Sequence, residues 1–141
     1  MQTLRKSPED MKTYMKSFLY QAIELRDKAA DSRSGKMIRK AVDYIDKYYA
    51  TESISLNEVS GAVEVSPNYF STAFRQEMGK TFTEYLTERR MEKAKQLLRQ
   101  TEKPSGDIAV EVGFKDPHYF SFVFKKTQGC TPREYRNGIK S

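Results

Sequence analysis

Apolar residues recur at three- and four-residue spacing along most of the chain, and short polar, glycine or proline clusters cut that pattern into helices. The organising stretch is Ser66–Tyr85, SPNYFSTAFRQEMGKTFTEY, because the chain writes it twice. Fifty residues later Asp116–Tyr135 reads DPHYFSFVFKKTQGCTPREY, with nine identities over twenty ungapped positions. Repetition on this scale marks one supersecondary unit used more than once. In each copy an N-cap residue, Ser66 or Asp116, precedes a proline at the first helical position, where the missing N–H costs nothing. Phe70 and Phe74, or Phe120 and Phe124, form an i, i+4 pair on one face, with Tyr69 or Tyr119 beside them. Gly79 and Gly129 stand where a left-handed C-cap is needed.

Upstream of each copy lies a short apolar-patterned segment, Leu56–Val63 and Ile108–Val112, followed by a turn of a few residues. Short helix, tight turn and capped second helix make the helix-turn-helix pattern, here in duplicate. The second unit, Pro104 to Gln128, is an imperfect copy. Ser105 stands where the first has Leu56, Gly106 falls in the first turn of the short helix, and both lower its propensity. One extra residue precedes Asp116, and Phe114 is expected to plug the core there.

Lys36–Tyr49 predicts an amphipathic helix in front of the first unit, with Met37, Ile38, Ala41, Val42, Ile45 and Tyr48 or Tyr49 inward. Ser55 and Glu58 have capping-box spacing, as do Thr81 and Glu84. After Thr81 a long helix runs to about Gln100, carrying Phe82, Tyr85, Leu86, Met91, Ala94, Leu97 and Leu98 inward. Its length of roughly 30 Å is close to the ~34 Å between successive major-groove faces of B-DNA. Thr131–Asn137 closes the chain with a short helix opened by Pro132.

Residues 1–35 differ from the rest. Leu4, Met11, Phe18 and Leu25 recur every seven residues, with Met15, Ala22 and Ala29 alongside. That stripe fits an N-terminal helix that dimerises through residues 8–30, a helix that packs on its own domain, or the remnant of an upstream domain. Gln21 and Lys28 at the complementary seam positions weaken a coiled-coil reading. Asp31–Gly35 reads as a linker.

The expected architecture is therefore all-α, with two helix-turn-helix subdomains joined by a long linker helix and an extra N-terminal helix. Its parts are residues 1–35, 36–80 (first subdomain), 81–100 (linker helix) and 101–141 (second subdomain). The 141 residues carry a net charge of +6 and a hydrophobic share of 38%, as expected of a soluble globular chain whose basic excess permits a polyanion partner. No apolar run has the length of a membrane span and no signal-peptide core opens the chain. The single cysteine, Cys130, excludes an internal disulfide and leaves no zinc cluster, so a reducing cytoplasm is expected, and it reads as a small loop residue. His118 is the lone histidine with no second ligand at metal spacing, so no metal and no cofactor are expected. No phosphate loop or nucleophile–base pair points to an enzyme. The tyrosines and phenylalanines of both copies, Tyr69 and Tyr119 included, are read as core rather than as stacking platforms for single strands.

With these residues assembled, the sequence resembles the AraC/XylS family of bacterial transcription regulators over about Lys36–Arg136. The stretches that carry the resemblance are RRMEKAKQLLRQT at Arg89–Thr101, IAVEVGFKDPHYFSFVFKKTQGCTP at Ile108–Pro132 and EYR at Glu134–Arg136. The resemblance implies a homeodomain-like, AraC-type arrangement of seven helices, in which the second helix of each unit enters a major groove of double-stranded DNA. It places base readers at Asn68, Ser71 and Thr72 in the first unit and at His118, Ser121 and Phe122 in the second. Asn reads adenine bidentately, Ser and Thr serve several bases, and Phe122, where many relatives carry a polar residue, either meets a thymine methyl or packs. Phosphate contacts fall to Arg75, Lys80, Lys125 and Lys126 and to the helix N-termini at Thr81 and Thr131. Arg90 corresponds to a family arginine that pairs within the core. RNA polymerase is the further partner the resemblance implies, and residues 1–35 would suit the end of an upstream domain, as in response regulators. A protein-interaction adaptor with a degenerate second unit, presenting Phe122 to a partner, is the alternative that Ser105, Gly106 and the near-neutral first unit suggest.

Overall fold

The computed structural model describes residues 33–138, and among them every regular element is a helix. In chain order these are α1 (Arg33–Tyr48), α2 (Leu56–Ala62), α3 (Pro67–Met78), α4 (Phe82–Gln100), α5 (Ser105–Glu111), α6 (Pro117–Gln128) and α7 (Pro132–Arg136). The stripe read over residues 1–30 lies outside the described residues. α1 begins three residues earlier than the sequence suggests, inside the span read as a linker. Gly35 is buried there, and the Ser34 hydroxyl donates to the Glu77 carboxylate at the end of α3 (3.1 Å).

Helix ends follow their caps. The Ser66 side chain accepts from the Tyr69 N–H at the start of α3, and Asp116 accepts from the His118 N–H at the start of α6. Gly79 and Gly129 close these helices in the left-handed region, at φ 77° and 87°. Full capping boxes form at Thr81–Glu84 and Thr131–Glu134. At Ser55 only half of the box forms. Its hydroxyl accepts from the Glu58 N–H, but the Glu58 carboxylate takes the Tyr44 hydroxyl instead (2.6 Å). That hydrogen bond raises the Tyr44 pKa, because ionising the phenol would set two negative charges together.

Two apolar cores lie in series along α4. The first gathers α1, α2 and α3 around Phe70 and Phe74, with Phe82, Tyr85 and Leu86 from the start of α4. Leu97 and Leu98 near the other end of α4 belong to the second core, with Met91, Ala94, Ile108, Phe114, Phe120, Phe124, Cys130 and Tyr135. Each core repeats the same aromatic geometry. Phe70 and Phe74 are 5.5 Å apart with Tyr85 5.9 Å from Phe74, while Phe120 and Phe124 are 5.8 Å apart with Tyr135 5.8 Å from Phe124. Cys130 lies in the bend between α6 and α7, a loop position as the sequence suggests, and its side chain is buried in the second core, 3% exposed. α5 forms despite Ser105 and Gly106, because burial of Ile108 and Ala109 outweighs a deficit of about 1 kcal/mol in propensity.

Arginines and an aspartate tie the helices together. Asp46 on α1 accepts from the Tyr85 hydroxyl (2.8 Å) and from Arg89 Nε (2.9 Å), and Arg89 also pairs with Glu92. Burial works against the charge on Arg89, yet the Asp46 carboxylate outweighs it and the arginine pKa rises. Arg136 donates to the Leu98 and Thr101 carbonyls (3.1 and 3.0 Å), filling acceptors that the end of α4 leaves open. The family resemblance gives Arg90 a place inside the fold, and the contacts agree. Its guanidinium donates to the Tyr49 and Thr51 carbonyls (2.8 and 3.0 Å) and lies 5.3 Å from the Phe114 ring centroid. Burial there lowers its pKa from the ordinary arginine value.

Candidate nucleic-acid interface

Each helix-turn-helix is built by a shared backbone device. In the first, the Glu64 N–H donates to the Gly61 carbonyl and the Val65 N–H to the Ser60 carbonyl; in the second, Gly113 donates to Val110 and Phe114 to Ala109. The turn needs a residue at positive φ after the short helix, filled by Glu64 (φ 63°) in one unit and Gly113 (φ 109°) in the other. These turns set α3 across α2 and α6 across α5, with the phenylalanine faces down and the opposite faces in solvent.

The outward face of α3 carries Asn68, Ser71, Thr72 and Arg75, all exposed. On α6 the equivalent face carries His118, Phe122, Lys125 and Lys126, exposed, with Ser121 half-buried. Phe122 is not packed in the core, being 61% exposed. Tyr69 and Tyr119 correct the reading of the aromatics as core, since they are 49% and 57% exposed. Each follows the cap by three residues and sits one residue before a buried phenylalanine, about 100° round the helix from it, which carries the ring to the rim.

In the second unit these rings form a continuous series. Phe114, nearly buried, lies 6.1 Å from Tyr119, and Tyr119 stacks on Phe122 at 6.3 Å with 26° between planes. Lys126 Nζ lies 5.9 Å from the Phe122 centroid. Beside the series a cleft of about 830 Å³ opens between α6 and α4, bordered by Thr83, Thr87 and Arg90 on the α4 side. In the first unit the residue matching Phe122 is Thr72, so no such series can form.

The other expected phosphate contacts are engaged within the protein. Lys80 Nζ lies 2.8 Å from the Glu88 carboxylate. The Thr81 and Thr131 N–H groups each donate to the glutamate of their own capping box at 2.9 Å.

Known proteins share this arrangement. A family model described as a helix-turn-helix domain matches residues 59–138. The chain is 36% identical over 103 residues to the arabinose operon regulatory protein of Escherichia coli, which covers 73% of this chain but 35% of that protein. It thus spans about a third of the length of this curated relative. Among solved structures it resembles the C-terminal domain of AraT, a response regulator from Geobacillus stearothermophilus. There the TM-score is 0.73 with 41% identity over 78% of this chain and 91% of that one. The C-terminal domain of the two-component response regulator yesN from Fusobacterium nucleatum is similar, with TM-score 0.68, 37% identity and coverage of 74% and 99%.

Proposed function

The chain belongs to the AraC-type helix-turn-helix family of DNA-binding transcription regulators, and from that membership we propose that it binds a specific duplex by placing α3 and α6 in successive major grooves on one side. The observation that carries this reading is the pair of capped helices, each anchored by two buried phenylalanines, with Asn68, Ser71, Thr72 and Arg75 turned to solvent on α3 and His118, Phe122, Lys125 and Lys126 on α6. Asn68, Ser71 and Thr72 read bases in one groove and His118, Ser121 and Phe122 in the next, at the N-terminal halves of their helices, which is the part that reaches base edges. Arg75, Lys125 and Lys126 meet phosphates from the C-terminal halves. Lys80, Thr81 and Thr131 contribute less, because a phosphate must displace the carboxylate each already holds.

α4 is the spacer. Its 19 residues span about 28 Å, near the repeat of one turn of duplex. We further propose that the domain works in the cytoplasm, recruits or positions RNA polymerase, and pairs with a second copy through residues 8–30, a span outside the described residues. Among the described residues no helix is long and apolar enough to cross a membrane.

Selection of bound sites from random duplex DNA, followed by footprinting, tests the proposal. The expected product is a preferred sequence with two protected segments about one helical turn apart. Retention of all duplexes with equal affinity refutes it.

A further inference from the structure

Resting on that reading, we propose that the second recognition helix identifies its half-site through thymine methyl groups, with Phe122 as the contact and Tyr119 as the residue that positions it. Phe122 stands at the place where Thr72 stands in the first unit, on the face continuous with the rest of the interface. A phenyl ring has no donor or acceptor for a base edge, and the apolar feature a major groove presents to it is the C5 methyl of thymine. Against any other base the ring covers polar edge atoms without satisfying them, so the same contact that favours thymine penalises its competitors.

The ring is also held in advance. From the nearly buried Phe114 a row of three rings leads outward, Tyr119 tilted at 48° against Phe114 and stacked on Phe122, with Arg90 against the inner end and Lys126 near the outer. An exposed phenylalanine ordinarily samples several rotamers and gives up that freedom on binding. Here the neighbouring ring restrains it, so less is lost on contact. Lys126, one turn further along, is placed to meet a phosphate flanking the same base pair. The two heads then read by different mixtures of chemistry: hydrogen bonds to base edges from α3, and methyl recognition by Phe122 beside His118 and Ser121 on α6.

The test uses the full chain and a duplex chosen from a random pool, in which each thymine is replaced singly by deoxyuridine. That exchange removes one methyl group and keeps every hydrogen-bonding atom. At one or two positions in a single half-site the affinity is expected to fall about fourfold, the factor that goes with losing one buried methyl-sized group. Phe122→Ala should bind the thymine and deoxyuridine duplexes equally, and Tyr119→Ala should narrow the difference. Circular dichroism establishes that these surface variants remain folded. Sequence-specific binding with no deoxyuridine-sensitive position, or sensitivity that persists in Phe122→Ala, overturns this proposal alone. Phe122→Ala with unchanged affinity for every duplex likewise overturns it and assigns the patch to a protein partner. A pool that yields no preferred sequence overturns both this and the reading beneath it.

Discussion

The Arg90 guanidinium occupies the space that a side chain at position 113 would need: a Cβ on Gly113 would lie 2.9 Å from both Nε and Nη2. An arginine tip can usually swing aside, but this one is held by the Tyr49 and Thr51 carbonyls and by the Phe114 ring. It therefore joins the α1–α2 connection of the first subdomain to the turn of the second. Gly113→Ala must break those bonds and also force an L side chain to φ 109°. It is expected to cost about 3 kcal/mol in chemical denaturation. In an Arg90→Ala background the clash is gone and the same change should cost only about 1–2 kcal/mol, so a double-mutant cycle should report coupling of at least ~1 kcal/mol.

Glu64 adopts the same left-handed turn without a glycine (φ 63°). Glu64→Gly removes a strain of about 1–2 kcal/mol and adds freedom to the unfolded chain. The net expectation is a gain of about 0.5–1 kcal/mol, seen as a rise in Tm, with DNA affinity unchanged. A loss of stability would mean that the Glu64 side chain supplies more than its backbone costs.

Asp46→Ala leaves Arg89 and the Tyr85 hydroxyl without their shared acceptor, in a pair whose side chains are only 18% and 20% exposed. About 2 kcal/mol of stability should go, less than for a fully buried pair because solvent reaches both groups and Glu92 still holds Arg89. Asp46→Asn, which keeps an acceptor for Tyr85, should lose about half as much in the same denaturation measurement.

Readers and phosphate contacts separate by salt and by sequence. Asn68→Ala or Thr72→Ala should cost about 1–3 kcal/mol on the preferred duplex and relax the choice at one base pair. Lys125→Ala should weaken all duplexes alike and lower the slope of log affinity against log salt by about one. Lys80→Ala should change the slope less, since Glu88 already neutralises that lysine. Equal losses on all sequences for both kinds of variant would dismiss the assignment of readers.

Local chemistry was legible in the chain and tertiary competition was not. Ser66-Pro67, Asp116-Pro117, Gly79 and Gly129 mark helix ends because each acts within a few residues of itself, and all four caps stand as read. Spacing pairs Glu58 with Ser55, yet its carboxylate goes to Tyr44, a partner fourteen residues away that no local pattern announces. The link from Asp46 to Arg89 spans forty-three residues and is invisible to local patterns for the same reason. Neighbouring core phenylalanines suggest an inward place for Tyr69 and Tyr119, but a shift of one residue on a helix is enough to turn them outward. Of the interface, the exposed polar positions Asn68, Ser71, Thr72 and His118 are readable from the repeat, whereas the exposure of Tyr69, Tyr119 and Phe122 and the row of rings from Phe114 to Phe122 are visible only in three dimensions.

Because both cores draw on one uninterrupted α4, the number of residues between Leu86 and Met91 acts as an angular setting. Inserting a single residue there would lengthen the rod by only about 1.5 Å but swing everything beyond it through about 100°. Two intact heads would then point to different quadrants around the axis. The phase of the pair, more than its spacing, is what this helix holds constant.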